Sequence, residues 1–172
     1  MSAVREAGVL GPVVALNIWT FIIEGWMYSK RIPAIEKYQV TIDPTITKEQ
    51  FANKFPPHIR WIADNYNHLM EQPTQFYAIA LAVALLHERR GSSADVAMAW
   101  TYVGLRVLHS LVQCSTNKIM RRFLIFVTSS AVLLGMTLNA ARRPLELTFW
   151  QHSDEQPPVH RLPIRQVLLI LT

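Results

Sequence analysis

The sequence predicts an all-α protein, an integral membrane four-helix bundle. Three observations carry that expectation. Of the 172 residues, 51% are apolar and only 17% charged, with a mean hydropathy of +0.16. Four apolar blocks, at 9–28, 72–87, 94–114 and 123–141, approach the ~20 residues that a helix rising ~1.5 Å each needs to cross a ~30 Å hydrocarbon core. The basic residues lie between these blocks: Lys30 and Arg31 after the first, Arg89 and Arg90 after the second, Lys118, Arg121 and Arg122 before the fourth, Arg142 and Arg143 after it. The excess of 17 basic over 12 acidic residues, +5, therefore reads as membrane flanks, and no nucleic-acid partner is expected. A lone cysteine, Cys114, makes no internal bridge, and no Cys/His spacing suggests a metal site.

The helices are expected at about 9–28, 57–88, 94–114 and 121–141, within a single domain spanning 1–143. The first block is too long for a secretory leader and lacks a small-x-small cleavage site, since Trp26, Met27 and Tyr28 lead directly into Lys30 and Arg31. Trp26 and Tyr28 suit an interfacial belt; for Trp100 and Tyr102 in the third block, core packing serves equally well. A polar connection follows over 29–57, with turns at Asp43-Pro44 and Pro56-Pro57 and a capping-box pattern, Thr47 to Gln50, that opens a short surface helix over 48–54. The second helix begins near Pro57, where proline is tolerated, with its first two turns in water. Pro73 removes a backbone bond inside that helix and kinks it near the membrane surface. In the fourth block the only polar groups over 123–138 are the hydroxyls of Thr128, Ser129, Ser130 and Thr137, which can bond back to the helix. A soluble bundle would need polar stripes that this helix lacks. The tail, 144–172, contains Pro144, Pro157, Pro158 and Pro163, and its five closing apolar residues cannot span a bilayer.

Counting Lys30, Arg31, Lys37, Lys54, Arg60, Lys118, Arg121 and Arg122 on one side against Arg5, Arg89, Arg90, Arg142 and Arg143 on the other puts the loops after the first and third helices in the cytoplasm. Ionisable groups within a membrane helix are expensive and mark candidate sites. Tyr102, Arg106, His109 and Gln113 step by four, three and four and share one helical face; Asp64, His68, Glu71 and Gln75 repeat the spacing on the second helix. A guanidinium leaving water needs an anion, and Glu71 is the expected partner of Arg106; the residues alone leave open whether that pair holds a ligand or only ties two helices together. Arg121 and Arg122 suit membrane anchoring by position, and Asn17 and Glu24 share a face of the first helix. His58, His87, His152 and His160 are expected in solvent. A hydrolase triad, a phosphate-cradling glycine loop and a dinucleotide fingerprint are absent from the sequence, and so are the broken helix pairs and inverted repeats of transporters.

The segment Asn67-His-Leu-Met-Glu71-Gln-Pro73-Thr-Gln-Phe76-Tyr77-Ala78, followed by Tyr102-Val-Gly-Leu-Arg106-Val-Leu-His109-Ser110 and Arg121-Arg122-Phe123, resembles the MAPEG superfamily of membrane-associated proteins in eicosanoid and glutathione metabolism, and a bacterial branch of it in particular. The resemblance covers the second to fourth helices and fits the first by topology. It implies a homotrimer of four-helix subunits with glutathione, as co-substrate, bound between subunits near the cytoplasmic face. Glu71 and Arg106 match residues that hold the tripeptide, and Arg122 matches the arginine that stabilises its thiolate. His68, His109, Gln113, Arg60 and Arg121 complete the expected binding set. The sequence departs from the eukaryotic pattern at His68, where the family has Asn, at Asp64, where it has Arg, and at Gln113, where it has Tyr; these changes remove cationic and phenolic contacts. The function implied is a glutathione-dependent transferase or peroxidase acting on a lipophilic small molecule from the lipid bilayer. The alternative is a non-catalytic lipid-binding protein or an accessory subunit of a larger membrane complex, since the superfamily has a non-catalytic member. An Arg-over-Lys bias and no ER-retrieval ending favour a bacterial inner membrane.

Overall fold

The computed structural model describes residues 8–86 and 91–142. The expectations for Arg5, His87, Arg89, Arg90, Arg143 and the tail with His152 and His160 lie outside the described residues. Six α-helices are present among the described residues: α1 (Leu10–Lys37), α2 (Lys48–Ala52), α3 (Pro57–Glu71), α4 (Thr74–Leu86), α5 (Ser93–Ser115) and α6 (Ile119–Ala141).

Helix α1 runs nine residues beyond the expected end at Tyr28. Lys30 and Arg31 end the apolar block without ending the helix, because charged side chains at a membrane surface remain good helix formers. Pro33 sits inside this helix, on a stretch where Glu36 and Lys37 are exposed and water can satisfy the carbonyl left without a partner. The added turns bury Ala34 against Val40, Phe55 and Ile59, a small core separate from the main one. In the connection, Thr45 donates its backbone N–H (2.8 Å) and hydroxyl (2.7 Å) to Asp43 Oδ1, which holds that carboxyl below its ordinary range. The Thr47–Gln50 capping box forms and opens α2.

The expected continuous helix over 57–88 is two helices, interrupted at Gln72-Pro73. Proline has no N–H to continue the ladder. The Thr74 hydroxyl instead donates to the Glu71 carbonyl at 2.9 Å, and Tyr77 N donates to the Pro73 carbonyl at 3.0 Å to start α4. Helix α5 opens on a second capping box, Ser92 with Asp95. Gly91, at φ +67°, makes the turn before it, with a Cβ there only 2.9 Å from Val9 Cγ1; that close approach and the positive φ both select glycine.

Helices α1, α3, α5 and α6 share one main core, with Leu16 and Ile23 from α1, Ile62 and Leu69 from α3, Tyr102 and Val103 from α5, Leu133 and Met136 from α6, and Phe76, Ala80 and Val83 of α4 joining them. Phe76 stacks on Tyr102 at 4.5 Å between centroids and 17° between planes. Outside that core, α1 and α6 are long and apolar enough to cross a membrane, and only 22% of each apolar window is buried. Val14, Ile18, Phe21 and Ile22 on α1 and Leu124, Val127, Leu134 and Leu138 on α6 are exposed. So wide an apolar surface is stable against lipid and aggregates in water. The hydroxyls of Thr128, Ser129 and Thr137 bond back to helix carbonyls at 2.8–2.9 Å. Tyr28 is exposed and donates to Glu24, whereas Tyr102 is core and Trp100 is exposed.

Candidate functional site

The spacing of α5 decides the site. Tyr102, Arg106, His109 and Gln113 are all buried, because steps of four, three and four keep them on the face turned toward α3 and α6. On α3 the matching stripe is not buried: Asp64 and Glu71 are exposed and His68 is half-buried. The core face of α3 is Ile59, Ile62, Asn65 and Leu69, rotated from the predicted stripe.

Burial of Arg106 is complete, and the expected pair with Glu71 does not form. Its Nη2 lies 3.3 Å from His68 Nε2. A guanidinium has only donors, so His68 Nε2 accepts, and the imidazole is neutral with its proton on Nδ1. The Arg106 Nε and Nη1 have no hydrogen-bond partner among the described residues. The guanidinium carbon is 5.7 Å from the Tyr102 ring centroid and 5.8 Å from that of Phe126, so the charge is met by π faces rather than by an anion. His68 lies 5.0 Å from His109 and 5.7 Å from Phe126 between ring centroids. Below this layer Asn65 Nδ2 donates to Gln113 Oε1 at 3.1 Å; above it the Tyr102 hydroxyl donates to Gln72 Oε1 at 2.7 Å.

A cleft of about 530 Å³ opens beside the histidine pair, at the end of the molecule where α5 ends and α6 begins. Asp64, Asn67, His68, Glu71, His109, Gln113, Arg122, Phe123 and Phe126 line it. Arg122 is the cation in that wall, fixed by donating Nη1 to Asn117 Oδ1 at 2.8 Å. Asn117 can do this because it takes the left-handed conformation, φ 46°, that closes α5, with its own N–H on the Val112 carbonyl at 2.8 Å. A guanidinium held by a neutral amide keeps its full charge for an incoming anion.

Of the eight residues expected at the site, the cleft gathers His68, Glu71, His109, Gln113 and Arg122, and Arg106 stands directly behind His68. Arg60 does not line it; this residue donates to Asn53 and lines a neighbouring cavity of about 220 Å³ with Arg31 and Lys48. Arg121 is exposed and does not line the cleft. A third hollow, about 570 Å³, runs between α4 and α6 at the level of the apolar blocks, lined by Gln72, Gln75, Ala78, Ile79, Ser130, Leu133, Leu134 and Thr137 among others. Sequence reasoning missed Asn65, Gln72 and Asn117. Asn65 was open to detection as the polar member of an Ile59, Ile62, Leu69 stripe; Gln72 had no signal, since its role depends on the break beside it. Asn139, which donates to buried Asp95 at 2.8 Å, was likewise missed, although Ser92 and Asp95 have capping-box spacing. Among the described residues no three His, Cys, Asp or Glu side chains gather as metal ligands.

Searches of curated proteins and of solved structures return no match. The model of the MAPEG family matches residues 9–142, taking in all six helices up to the end of α6, and the chain therefore belongs to the MAPEG family.

Proposed function

We propose that the chain is a multi-pass membrane protein, a homotrimer of four-helix bundles in a bacterial inner membrane, and that it catalyses glutathione-dependent transfer or peroxide reduction on a lipophilic electrophile. The observation that carries this reading is Arg122, a half-buried guanidinium fixed in the wall of a cleft that also contains neutral hydrogen-bonding groups from α3 and α5. Glutathione offers two carboxylates and a thiol. The cleft residues fit such a ligand: Arg122 supplies charge, His68 Nδ1–H and Gln113 supply polar contacts, and Glu71 at the rim suits an ammonium. Arg106 stands behind His68 and outside the cleft lining; its Nε and Nη1, without a partner among the described residues, are buried donors that an anion reaching past His68 would satisfy.

In this mechanism Arg122 stabilises a thiolate. A free thiol with a pKa near ~8.5 is only a few per cent ionised at neutral pH. A guanidinium ~4 Å from sulfur contributes about 4 kcal/mol at an effective dielectric of ~20, before desolvation is subtracted. A third of that lowers the thiol pKa by about one unit. The groove between α4 and α6, lined by Ile79, Leu133 and Leu134, suits the apolar reactant, with Gln72 and Gln75 as its polar members.

A second reading, non-catalytic lipid binding, is favoured by one feature: Asp64 and Glu71 put two carboxylates on the cleft, where they oppose the carboxylates of glutathione. Isothermal titration of the detergent-solubilised protein with glutathione separates the two. Heat that saturates in the millimolar range or below supports the transferase reading; no heat at millimolar ligand transfers the case to lipid binding.

A further inference from the structure

The neighbouring cavity of about 220 Å³ is lined by three cations, Arg31, Lys48 and Arg60, with Phe51, Asp64 and Asn67 among the rest. None of the three makes an ion pair among the described residues. Arg31 is held over the Phe51 and Phe55 rings, its guanidinium carbon 5.0 and 5.2 Å from their centroids. Arg60 is held by the Asn53 side-chain oxygen. Both guanidiniums are thus positioned by neutral groups, which fix their direction and leave their charge uncancelled. One carboxylate, Asp64, also lines the cavity, one turn along α3 from Arg60, so the cavity keeps a net positive charge.

Its surroundings say which anion is at hand. Arg31 follows the apolar stretch of α1 by less than one turn, and the adjoining surface exposes Ile32, Tyr38 and Ile42, the last at 72%. Apolar side chains this exposed beside clustered cations belong at the membrane interface, at the depth of lipid phosphates. We propose that this cavity binds the phosphate diester of a phospholipid whose head group ends in a hydroxyl or an ammonium. Arg31, Lys48 and Arg60 take the phosphate oxygens. Asp64 and Asn67 accept from the head group's O–H or N–H, which a choline head group lacks. The site is separate from the glutathione cleft, with which it shares only the Asp64 to Asn67 wall, and does not depend on the transferase reading.

The test is native mass spectrometry of the full chain from detergent, titrated with phosphatidylglycerol, phosphatidylethanolamine and phosphatidylcholine, and with inorganic phosphate as competitor. The glycerol and ethanolamine lipids are expected to bind more tightly than the choline lipid. Lys48→Gln and Arg60→Gln are expected each to weaken them about fivefold, while Lys54→Gln, whose ammonium bonds the Thr41 carbonyl outside the cavity, leaves them unchanged. Lys48 is exposed, so its variant tests the site without threatening the fold. Equal binding of all three lipids, or binding indifferent to both variants, overturns the proposal. Inorganic phosphate that binds with the same dependence on Lys48 while the lipids fail to compete overturns the lipid as its source.

Discussion

Replacing Arg106 by methionine, of similar length and no charge, tests what the buried guanidinium is for. Among the described residues it has one hydrogen bond, to His68 at 3.3 Å, and two ring contacts, to Tyr102 and Phe126. A charged hydrogen bond contributes ~1.5–3 kcal/mol and each ring contact ~0.5–2 kcal/mol, together about 2.5–7 kcal/mol. Against this stand two buried nitrogens without partners, each costing ~1–3 kcal/mol and more for a charged group. The midpoints of the two sides, about 5 and about 4 kcal/mol, differ by only about 1 kcal/mol, so without ligand Arg106→Met is expected to change thermal stability in detergent little. Ligand breaks the balance. On the proposed function, wild type at one hundred times its Kd for glutathione is expected to gain about 2.7 kcal/mol, and the variant to lose most of that shift. The assay is thermal unfolding of both proteins with and without glutathione. A loss above ~3 kcal/mol in the ligand-free variant, the size seen when a satisfied buried pair is broken, would show that Arg106 already has its anion, and a full ligand-induced shift in the variant would show that Arg106 does not meet glutathione.

Arg122→Leu is expected to raise the pKa of bound glutathione by about one unit, read as thiolate absorbance against pH, and Arg121→Leu, on the exposed face, to leave it unchanged; the reverse order would reassign the role. The coupling between Arg106→Ala and Glu71→Gln in a double-mutant cycle should stay below about 0.5 kcal/mol, because the two side chains do not meet; a larger value in the assembled protein would place Glu71 of one subunit on Arg106 of another. Gly91→Ala should cost about 1–3 kcal/mol in thermal unfolding, since a Cβ there meets Val9 and Val83 at 2.9 and 3.2 Å in a positive-φ conformation; an unchanged midpoint would mean that this turn relaxes freely.

The first and fourth apolar blocks and the α5 face were legible because they rest on hydropathy, periodicity and the cost of burying charge, which one chain carries within itself. Tyr102, Arg106, His109 and Gln113 are buried as their spacing predicts. The α3 stripe failed for an instructive reason. Asp64, His68 and Glu71 share a helical face, but so do Ile59, Ile62 and Leu69, and the apolar set took the core, bringing Asn65 with it. Pro73 signalled a kink, whereas the full break depends on Thr74 capping Glu71, a contact that spacing alone does not announce. The end of α1 was misread because the end of an apolar block marks where lipid stops, and the helix continues until Tyr38 and Gln39 turn it. Partner choice was the least legible: a buried arginine demands acceptors, and only the fold decides that a histidine and two rings stand there first.

The interruption at Gln72-Pro73 lies between two hollows, the polar cleft on the α3 side and the apolar groove on the α4 side. If both are used in the proposed reaction, that reaction runs across a phase boundary with one reactant drawn from each phase. The lipophilic reactant would then be supplied at its mole fraction in the bilayer, and its bulk concentration would matter only through partitioning. Adding inert lipid would slow the reaction at constant total substrate, a surface-dilution behaviour set by where one helix breaks.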